Sequence, residues 1–526
     1  MRLYRSRWAL ASVAAGVFVG TAHSETLTGA QSGHERGDLA RIKHVVVIYA
    51  ENRSFNNLYG RFPGADGLAN AFAQSAFRVQ KDRNGTVLAE LPKIWGGLTA
   101  AGVVPAVTEA QTEHMPNKPF GIDDDKGYNQ SIAVTTRDLV HRFYNNQMQI
   151  NNGANDRFAA WADSGGLVMG YYSYDSDTLP LWSYAKRFTL ADHFFMGSFG
   201  GSFLNHQFLI CSCAPYYPHA DTSVAKGSIA AVNPDGVSLK IDPASPASAL
   251  SGPPKYVNDG ALTPDFYAVN TMQPPYQPSS VPPATGQDPA YANPNSASVL
   301  PPQTAQTIGD LLSNAGVTWA WYGGAWQAAL DGQNASPVPN FQYHHQPFNY
   351  FAAYAPGTAA RAAHLRDGGL GGAKLIADID AGALPEVTFY KPQGNLNEHP
   401  GYADVVDGDA HIANVLAHIE KSKIWNDVLV IVTYDENGGF WDHVSPPKGD
   451  RFGPGTRIPA LLVSPYAEQG YVDHTVYDTT SVIRFLTRRY NLPLLPGVSS
   501  RDAAVRAQGG QPIGDLTNAL IFFNHH

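Results

Sequence analysis

The sequence predicts an α/β fold: a three-layer α/β/α sandwich with a mostly parallel central sheet and long loop insertions. Three observations lead there. Two apolar runs, "VVVI" at 45–48 and "DVLVIVTY" at 427–434, are too continuous for strands with one wet face. Such runs read as strands buried on both faces. Segments of helical periodicity alternate with them, the order expected of a parallel sheet covered by helices. Charged residues are only 15%, while Gly (50), Pro (38) and Tyr (26) are plentiful. That composition suits many loops packed on a rigid body.

The elements follow in order. Residues 44–49 form the first strand. In 303–315, Ile308, Leu311, Leu312 and Ala315 fall at helical spacing, and Gly316 is a stop. "VTWAWYGG" (317–324) and "EVTFYKP" (386–392) read as strands. Residues 409–421 set Ile412, Val415, Leu416 and Ile419 on one helical face, with Asp409 as the expected cap. Residues 427–434 and "IPALLVSP" (458–465) are further buried strands. Asp478 is placed to cap a helix carrying Val482, Ile483, Phe485 and Leu486. Residues 215–305 are rich in Pro, Ala, Ser and Asn and lack periodicity, so they are expected to be a surface insertion, either a lid or decoration. No internal repeat or heptad pattern is present.

The chain has 526 residues, 44% of them hydrophobic, ample for a large core. Its first 24 residues read as a signal peptide: Arg2, Arg5 and Arg7, then "WALASVAAGVFVG", then Ala22 and Ser24 before Glu25. The alternative is an uncleaved anchor. The expectation is one domain over 25–526 in a periplasmic or secreted protein. No other stretch approaches the roughly 18 apolar residues that span a bilayer. Removing residues 1–24 takes away three arginines and no acid, moving the net charge from −9 to −12. With no basic stripe, nucleic acid is not an expected partner. Cys211 and Cys213, the only cysteines, are one residue apart, a spacing that argues against a bridge between them.

Both buried strands end in polar pairs, Glu51-Asn52 and Asp435-Glu436, the second followed by Gly438 and Gly439. In open α/β sheets the carboxyl edge is where ligands bind. Oxygen-rich clusters there suit a divalent cation. The alternative is two unrelated strand-end loops with solvated acids. "GGSFLNH" offers Ser202 after two glycines, a nucleophile only if a base or metal activates it. His141, His344, His345 and His399, each alone more often structural, together with the acids and a serine are candidates to neutralise phosphate or protonate a leaving group.

"HVVVIYAENRSF", "DLVHRFY", "MGYY", "GGSFLNH", "HHQPF", "NEHP" and "VTYDENGGFWDHVSPP" occur in that order. In these motifs the chain resembles the bacterial acid phosphatase and phospholipase C family of phosphoesterases, a branch of the alkaline-phosphatase-like superfamily. The resemblance covers about residue 40 to 495. It implies an alkaline-phosphatase-like fold and one divalent metal ion held by Glu51, Asn52, Ser202, Asp435 and Glu436. It further implies that Ser202 is the nucleophile, that His399, His345, His344 and His141 are catalytic, and that Asn205 and His206 lie at the substrate. Asn56 stands where relatives often have Asp, His206 where many have Arg, and Phe203-Leu204 replace a common Asp-Pro, which bears on substrate preference.

The function expected is an exported, metal-dependent acid phosphatase working on phosphomonoesters through a phosphoserine. His399, then His345, is the expected proton donor. The alternative is a phospholipase C cleaving phosphodiesters such as phosphatidylcholine. Larger phospholipases C carry β domains after the catalytic one, whereas here about 60 residues follow "LLVSPYA", which favours the phosphatase. A silent binding protein on the same scaffold is a third class, disfavoured by the complete acid–serine set. Neither "CSCAP" nor "GGSFLN" matches a sulfatase nucleophile, and no second full ligand set for a zinc pair is evident.

Overall fold

The central strands form where Val, Ile, Leu, Phe and Tyr dominate, the residue types that pack well on a pleated, buried surface. A computed structural model describes residues 38–73, 79–173, 179–334 and 338–522. The expected signal segment, 1–24, lies outside them. The main elements are β1 (His44–Ala50), α1 (Phe55–Tyr59), α2 (Pro180–Arg187), β2 (Thr189–Ala191), α3 (Ser202–Cys211), α4 (Ile308–Asn314) and β3 (Trp319–Gly324). They continue with β4 (Leu365–Gly369), β5 (Val387–Lys391), α5 (Val405–Lys421), β6 (Val428–Tyr434), β7 (Ala460–Val463), β8 (Tyr471–Asp473), α6 (Thr480–Tyr490) and α7 (Pro496–Ala507).

The eight strands make one sheet in the order β8-β2-β7-β6-β1-β5-β3-β4. Seven run the same way and β7 alone runs against its neighbours β6 and β2. Every residue of β3, β5, β6 and β7 is buried, so both faces of the sheet are covered. The expected α/β sandwich with a mostly parallel sheet is the fold observed. At the centre, β1 lies between β6 and β5, with Ala50 opposite Tyr434 and Ile48 opposite Tyr390. This register brings the chain exits after Ala50 and Tyr434 to one level.

Three local expectations are corrected. The helix read from 303 begins at Ile308, because Thr307 and Asp310 close a reciprocal capping box there. Asp409 does not cap its own helix. Asp404 does, accepting from the Asp407 amide at 2.9 Å, and Val405 extends the apolar face a turn earlier. The buried Asp409 carboxylate instead accepts from Leu181 N at 2.9 Å, capping α2 from a distance. The third correction concerns Cys211 and Cys213, which are disulfide-bonded. Helix α3 ends at Cys211 and Ser212 takes a left-handed conformation (φ 50°), which brings the two Cα atoms to 5.2 Å, within bridging range.

Asp478 serves its helix nearly as expected: its Oδ1 accepts from Thr480 N at 2.8 Å, one residue inside the Thr479 cap. Its Oδ2 accepts from buried Arg501 at 2.7 Å. Arg501 also donates to Gly197 O at 2.7 Å, so α7 anchors the loop that leads to α3. Residues 215–305 contain short 3₁₀ turns and isolated bridges rather than a sheet. They are tied to the body where Asp259 pairs with Arg142 (2.6 Å) and Asn270 accepts from Phe143 N (3.0 Å). Among the described residues, no helix is long and apolar enough to cross a membrane.

Burial raises the Asp409 carboxyl to about 7. The fold favours its neutral form, so this contribution is present below the ordinary aspartate value of about 3.9 and is lost as pH rises through about 7. Asp409→Asn keeps an acceptor for Leu181 N but cannot ionise. Urea unfolding is expected to show the variant gaining stability on wild type between pH 5 and pH 8. A constant difference across that range would show that Asp409 is already ionised at pH 5 in the folded protein and that burial does not raise it.

Candidate active site

Strand β1 leaves the sheet at Glu51, and Asn52 follows in the left-handed region (φ 57°), which Asn tolerates better than most residues. Its backbone N–H donates to Asp435 Oδ1 at 3.0 Å, stitching the ends of β1 and β6 together. Gly438 (φ 59°) lies so close to this turn that a Cβ would sit 2.3 Å from Asn52 O, so only glycine fits. Ser202 is the first residue of α3, and its hydroxyl donates to Glu51 Oε2 (3.1 Å) or Asn52 Oδ1 (3.2 Å). Glu51, Asn52, Ser202 and Asp435 thus meet at one point, all buried. The strand-end acids do converge, and the alternative of two solvated loops does not hold.

Glu436 continues from Asp435. Its Oε2 accepts from Gly438 N (2.6 Å) and its Oε1 lies 3.8 Å from His141 Nε2. His399 Nε2 accepts from Asn52 Nδ2 at 2.9 Å, and its Nδ1 donates to Pro400 O at 2.5 Å. His141 Nδ1 donates to Leu139 O at 2.6 Å and faces Asp138 at 3.6 Å. The His141 and His399 rings meet edge to face, 5.5 Å apart. His345 is fully buried behind the cluster, with Nε2 2.9 Å from Glu51 Oε1. His344 packs against both His345 and His206.

A cavity of about 260 Å³ opens over Ser202. His141, His344, His399, Asp138, Tyr402 and Phe203 line it, and the insertion contributes Val269, Asn270 and Thr271. Residues 215–305 therefore form part of the cavity wall. His345 does not reach the cavity. Asn205 and His206, expected at the substrate, are fully buried outside it. Asn205 accepts from Ser198 N (2.9 Å) and donates to Ser198 O (3.2 Å) and Gly201 O (3.2 Å), clamping the loop before Ser202. His206 Nδ1 donates to Ser202 O (2.7 Å) and its ring faces Glu51 and Asp435.

Sequence reasoning missed Lys391. It ends β5, is fully buried, and its ammonium touches Glu51 Oε1. The signal was present, since "EVTFYKP" also ends in a charged residue at the level where β1 and β6 deliver their acids. Burial opposes ionisation of Glu51, but Lys391 and then His345 outweigh it and hold the carboxyl well below the usual range. Nothing comparable serves the other acids. Burial, then the Glu51 charge, raises Asp435 to about 7, and burial holds Glu436 well above the usual range. Asp435 Oδ2 and Glu436 Oε1 are buried with no hydrogen-bond donor. Orphaned acid oxygens beside Glu51, Asn52 and Ser202 fit a hard divalent cation. Glu51, His206 and Asp435 each offer one donor atom within 4.8 Å of the others.

The model of the Phosphoesterase family matches residues 42–493. The chain is 24% identical to "Non-hemolytic phospholipase C" of Pseudomonas aeruginosa, covering 93% of this chain and 59% of that protein. It is 23% identical to "Phospholipase C B" of Mycobacterium tuberculosis, covering 98% of this chain and 84% of that one. The chain thus spans less than two thirds of the Pseudomonas relative. Among solved structures, a protein in the alkaline phosphatase superfamily from Vibrio parahaemolyticus matches 66% of each chain at 12% identity, with a TM-score of only 0.31.

Lys391→Met leaves Glu51 buried without its cation. Breaking a buried pair from one side is expected to cost about 3–5 kcal/mol, read by urea unfolding in chelator. A loss within the ~0–1 kcal/mol of a surface pair would show that Lys391 does not hold the Glu51 charge.

Proposed function

The chain belongs to the Phosphoesterase family, and on that premise we propose that it hydrolyses phosphoric esters, its preferred substrates being phosphodiesters of the phospholipase C kind. The observation that carries the reading is the Ser202 hydroxyl beneath the cavity, hydrogen-bonded to Glu51 and Asn52. Its one proton goes to either oxygen, and Ser202 also lines the cavity, so its oxygen can meet a phosphorus placed there. One divalent ion, held by Glu51, Asn52, Ser202, Asp435 and Glu436, would supply charge stabilisation for the phosphoryl oxygens and favour the serine alkoxide.

The Ser202 hydroxyl passes its proton to the buried carboxylate cluster it already faces at Glu51, Oγ forms a bond to phosphorus, the ester P–O bond breaks, and the leaving alkoxide takes a proton. His141 lines the cavity and is placed to give that proton; His399 also lines it, but its Nε2 accepts from Asn52 and must first take up a proton, whereas His345 lies behind Glu51. Water then cleaves the phosphoserine. Alignment and charge stabilisation account for most of the rate.

Two features favour a diester over a monoester. The relatives compared are named phospholipases C. The cavity wall also offers little free positive charge: Arg142 is bound by Asp259, and the Asp138 side chain is half exposed at the rim. A carboxylate there suits a cationic head group and opposes a phosphate dianion. The second reading, an acid phosphatase acting on monoesters, is favoured by His141: burial opposes its charge, but Glu436 and Asp138 raise it to about 9, giving one cation for a second phosphate charge. Export to the periplasm or beyond is part of the proposal, resting on the leader pattern of residues 1–24.

Hydrolysis of p-nitrophenyl phosphorylcholine against p-nitrophenyl phosphate, with and without chelator, tests this reading. Faster cleavage of the choline diester is expected, and preference for the monoester would install the phosphatase. Ser202→Ala is expected to lower turnover at least ~10³-fold, the scale set by losing a nucleophile, with the fold unchanged by circular dichroism. Near-normal activity would remove Ser202 as nucleophile. Asp435→Asn is expected to lower the metal content of purified protein, and unchanged content would place the ion elsewhere. His399→Gln and His141→Gln should slow alkyl esters more than p-nitrophenyl esters, whose leaving group needs no proton. Equal losses would exclude both as the acid.

A further inference from the structure

The carboxyl edge of the sheet carries a second set of donor side chains, away from Ser202. Strands β2 and β8 are parallel neighbours that run with β1, so their ends lie on the same edge as the candidate active site. Asp192 and His193 directly follow β2, and His474 directly follows β8. His193 Nδ1 lies 2.8 Å and His474 Nδ1 2.9 Å from the Asp192 carboxylate. The two rings stand nearly perpendicular, at 85°, with centroids 6.2 Å apart. Asp192 is fully buried, while the His474 side chain is 59% exposed. An exposed imidazole is thus aimed at a buried carboxylate that already faces a second imidazole.

The surroundings are arranged as a supporting layer. Asp66 Oδ2 lies 3.6 Å from the other nitrogen of His193, Nε2, an ion-pair separation that a small shift would close to a hydrogen bond. The Asp66 backbone N–H donates to Asp192 Oδ2 at 2.7 Å. His443 Nε2 faces Asp66 Oδ1 at 3.1 Å. A carboxylate on the far nitrogen of a histidine is the common way to orient a metal ligand and raise its basicity. The nearby cation, Arg457, contacts the backbone oxygens of Asp66 and Asp192 at 2.7 and 2.9 Å, and Asp442 matches its charge at 3.0 Å. Asp473 is occupied by the Tyr477 hydroxyl at 2.6 Å.

We infer that Asp192, His193 and His474 form a second metal site, distinct from the Ser202 centre, that takes a borderline divalent ion of the Zn²⁺ class. The donor set, two imidazoles and a carboxylate, is one such ions prefer, and hard Mg²⁺ or Ca²⁺ would not select it. Zinc bonds of about 2.0–2.1 Å place tetrahedral donors about 3.3 Å apart. The present spacings of 2.8 and 2.9 Å need open only by a few tenths of an ångström, which the exposed His474 can supply. The remaining coordination position faces solvent on the His474 side, open to water or to a donor from a partner.

The test is equilibrium dialysis of the metal-stripped full chain against buffered Zn²⁺, with bound metal measured by atomic emission. His474→Ala removes an exposed side chain and leaves the core intact. It is expected to lose one equivalent of Zn²⁺ that Asp435→Asn retains. Asp66→Asn is expected to weaken binding of that equivalent about 10–100-fold, the usual cost of losing a carboxylate behind a ligating histidine. Equal stoichiometry and affinity in wild type, His474→Ala and His193→Ala would overturn the proposal and leave a hydrogen-bonded cluster. Loss of the only bound equivalent in Asp435→Asn would overturn it as well, whatever the Ser202 centre proves to hydrolyse.

Discussion

A carboxylate with no access to water must find its counter-charge inside the protein, and Glu51 finds it on the neighbouring strand. Lys391 ends β5 where Glu51 follows β1, and the parallel register between them sets the two groups side by side. On the other side, the register of β1 with β6 brings Asp435 to the same level. The centre of the sheet therefore places one lysine among three acids without any loop having to fold around them. A single lysine leaves that group short of positive charge, and the surplus is where a cation belongs.

Around this fixed centre the mobile parts of the problem are handled by backbone clamps. Asn205 holds the loop before Ser202, Arg501 holds Gly197 in the same loop, and His206 holds the Ser202 carbonyl. These residues touch no substrate space, yet they set where the serine hydroxyl points. Rigid support of that kind matters because misplacing a nucleophile by about 1 Å can cost ~10²-fold in rate.

Much of this was legible in the sequence because strand and ligand signals coincide: an apolar run that stops at an acid pair marks both a buried strand and its functional end. β1, β6, Glu51, Asn52 and Asp435 were legible on that ground, whereas Ser202 stood out only by its two preceding glycines and the family motifs. What could not be read depended on contacts distant in the chain. Lys391 ends a strand whose partners are known only once the sheet order is known. Asp409 looks like the cap of its own helix and caps another, 228 residues away. The Cys211–Cys213 bridge turned on one left-handed residue, Ser212, which pair spacing does not reveal. Asn205 and His206 sat in a motif shared with the resembled family, but a helix turn places successive side chains on different faces, and theirs face inward.

The origin of the cavity wall separates two kinds of inheritance in this chain. The proposed reacting groups sit on strand ends and a helix start, where the core dictates their positions. Val269, Asn270 and Thr271 come instead from a segment that adds no strand to the sheet and is fastened beside Ser202 by Asp259–Arg142 and Asn270–Phe143. Such a segment is free to change length and composition while its fastenings persist, since surface loops tolerate insertion far better than strands. On the proposed reading, the insertion sets what reaches Ser202 while the strand ends set the chemistry, so the first can change without the second.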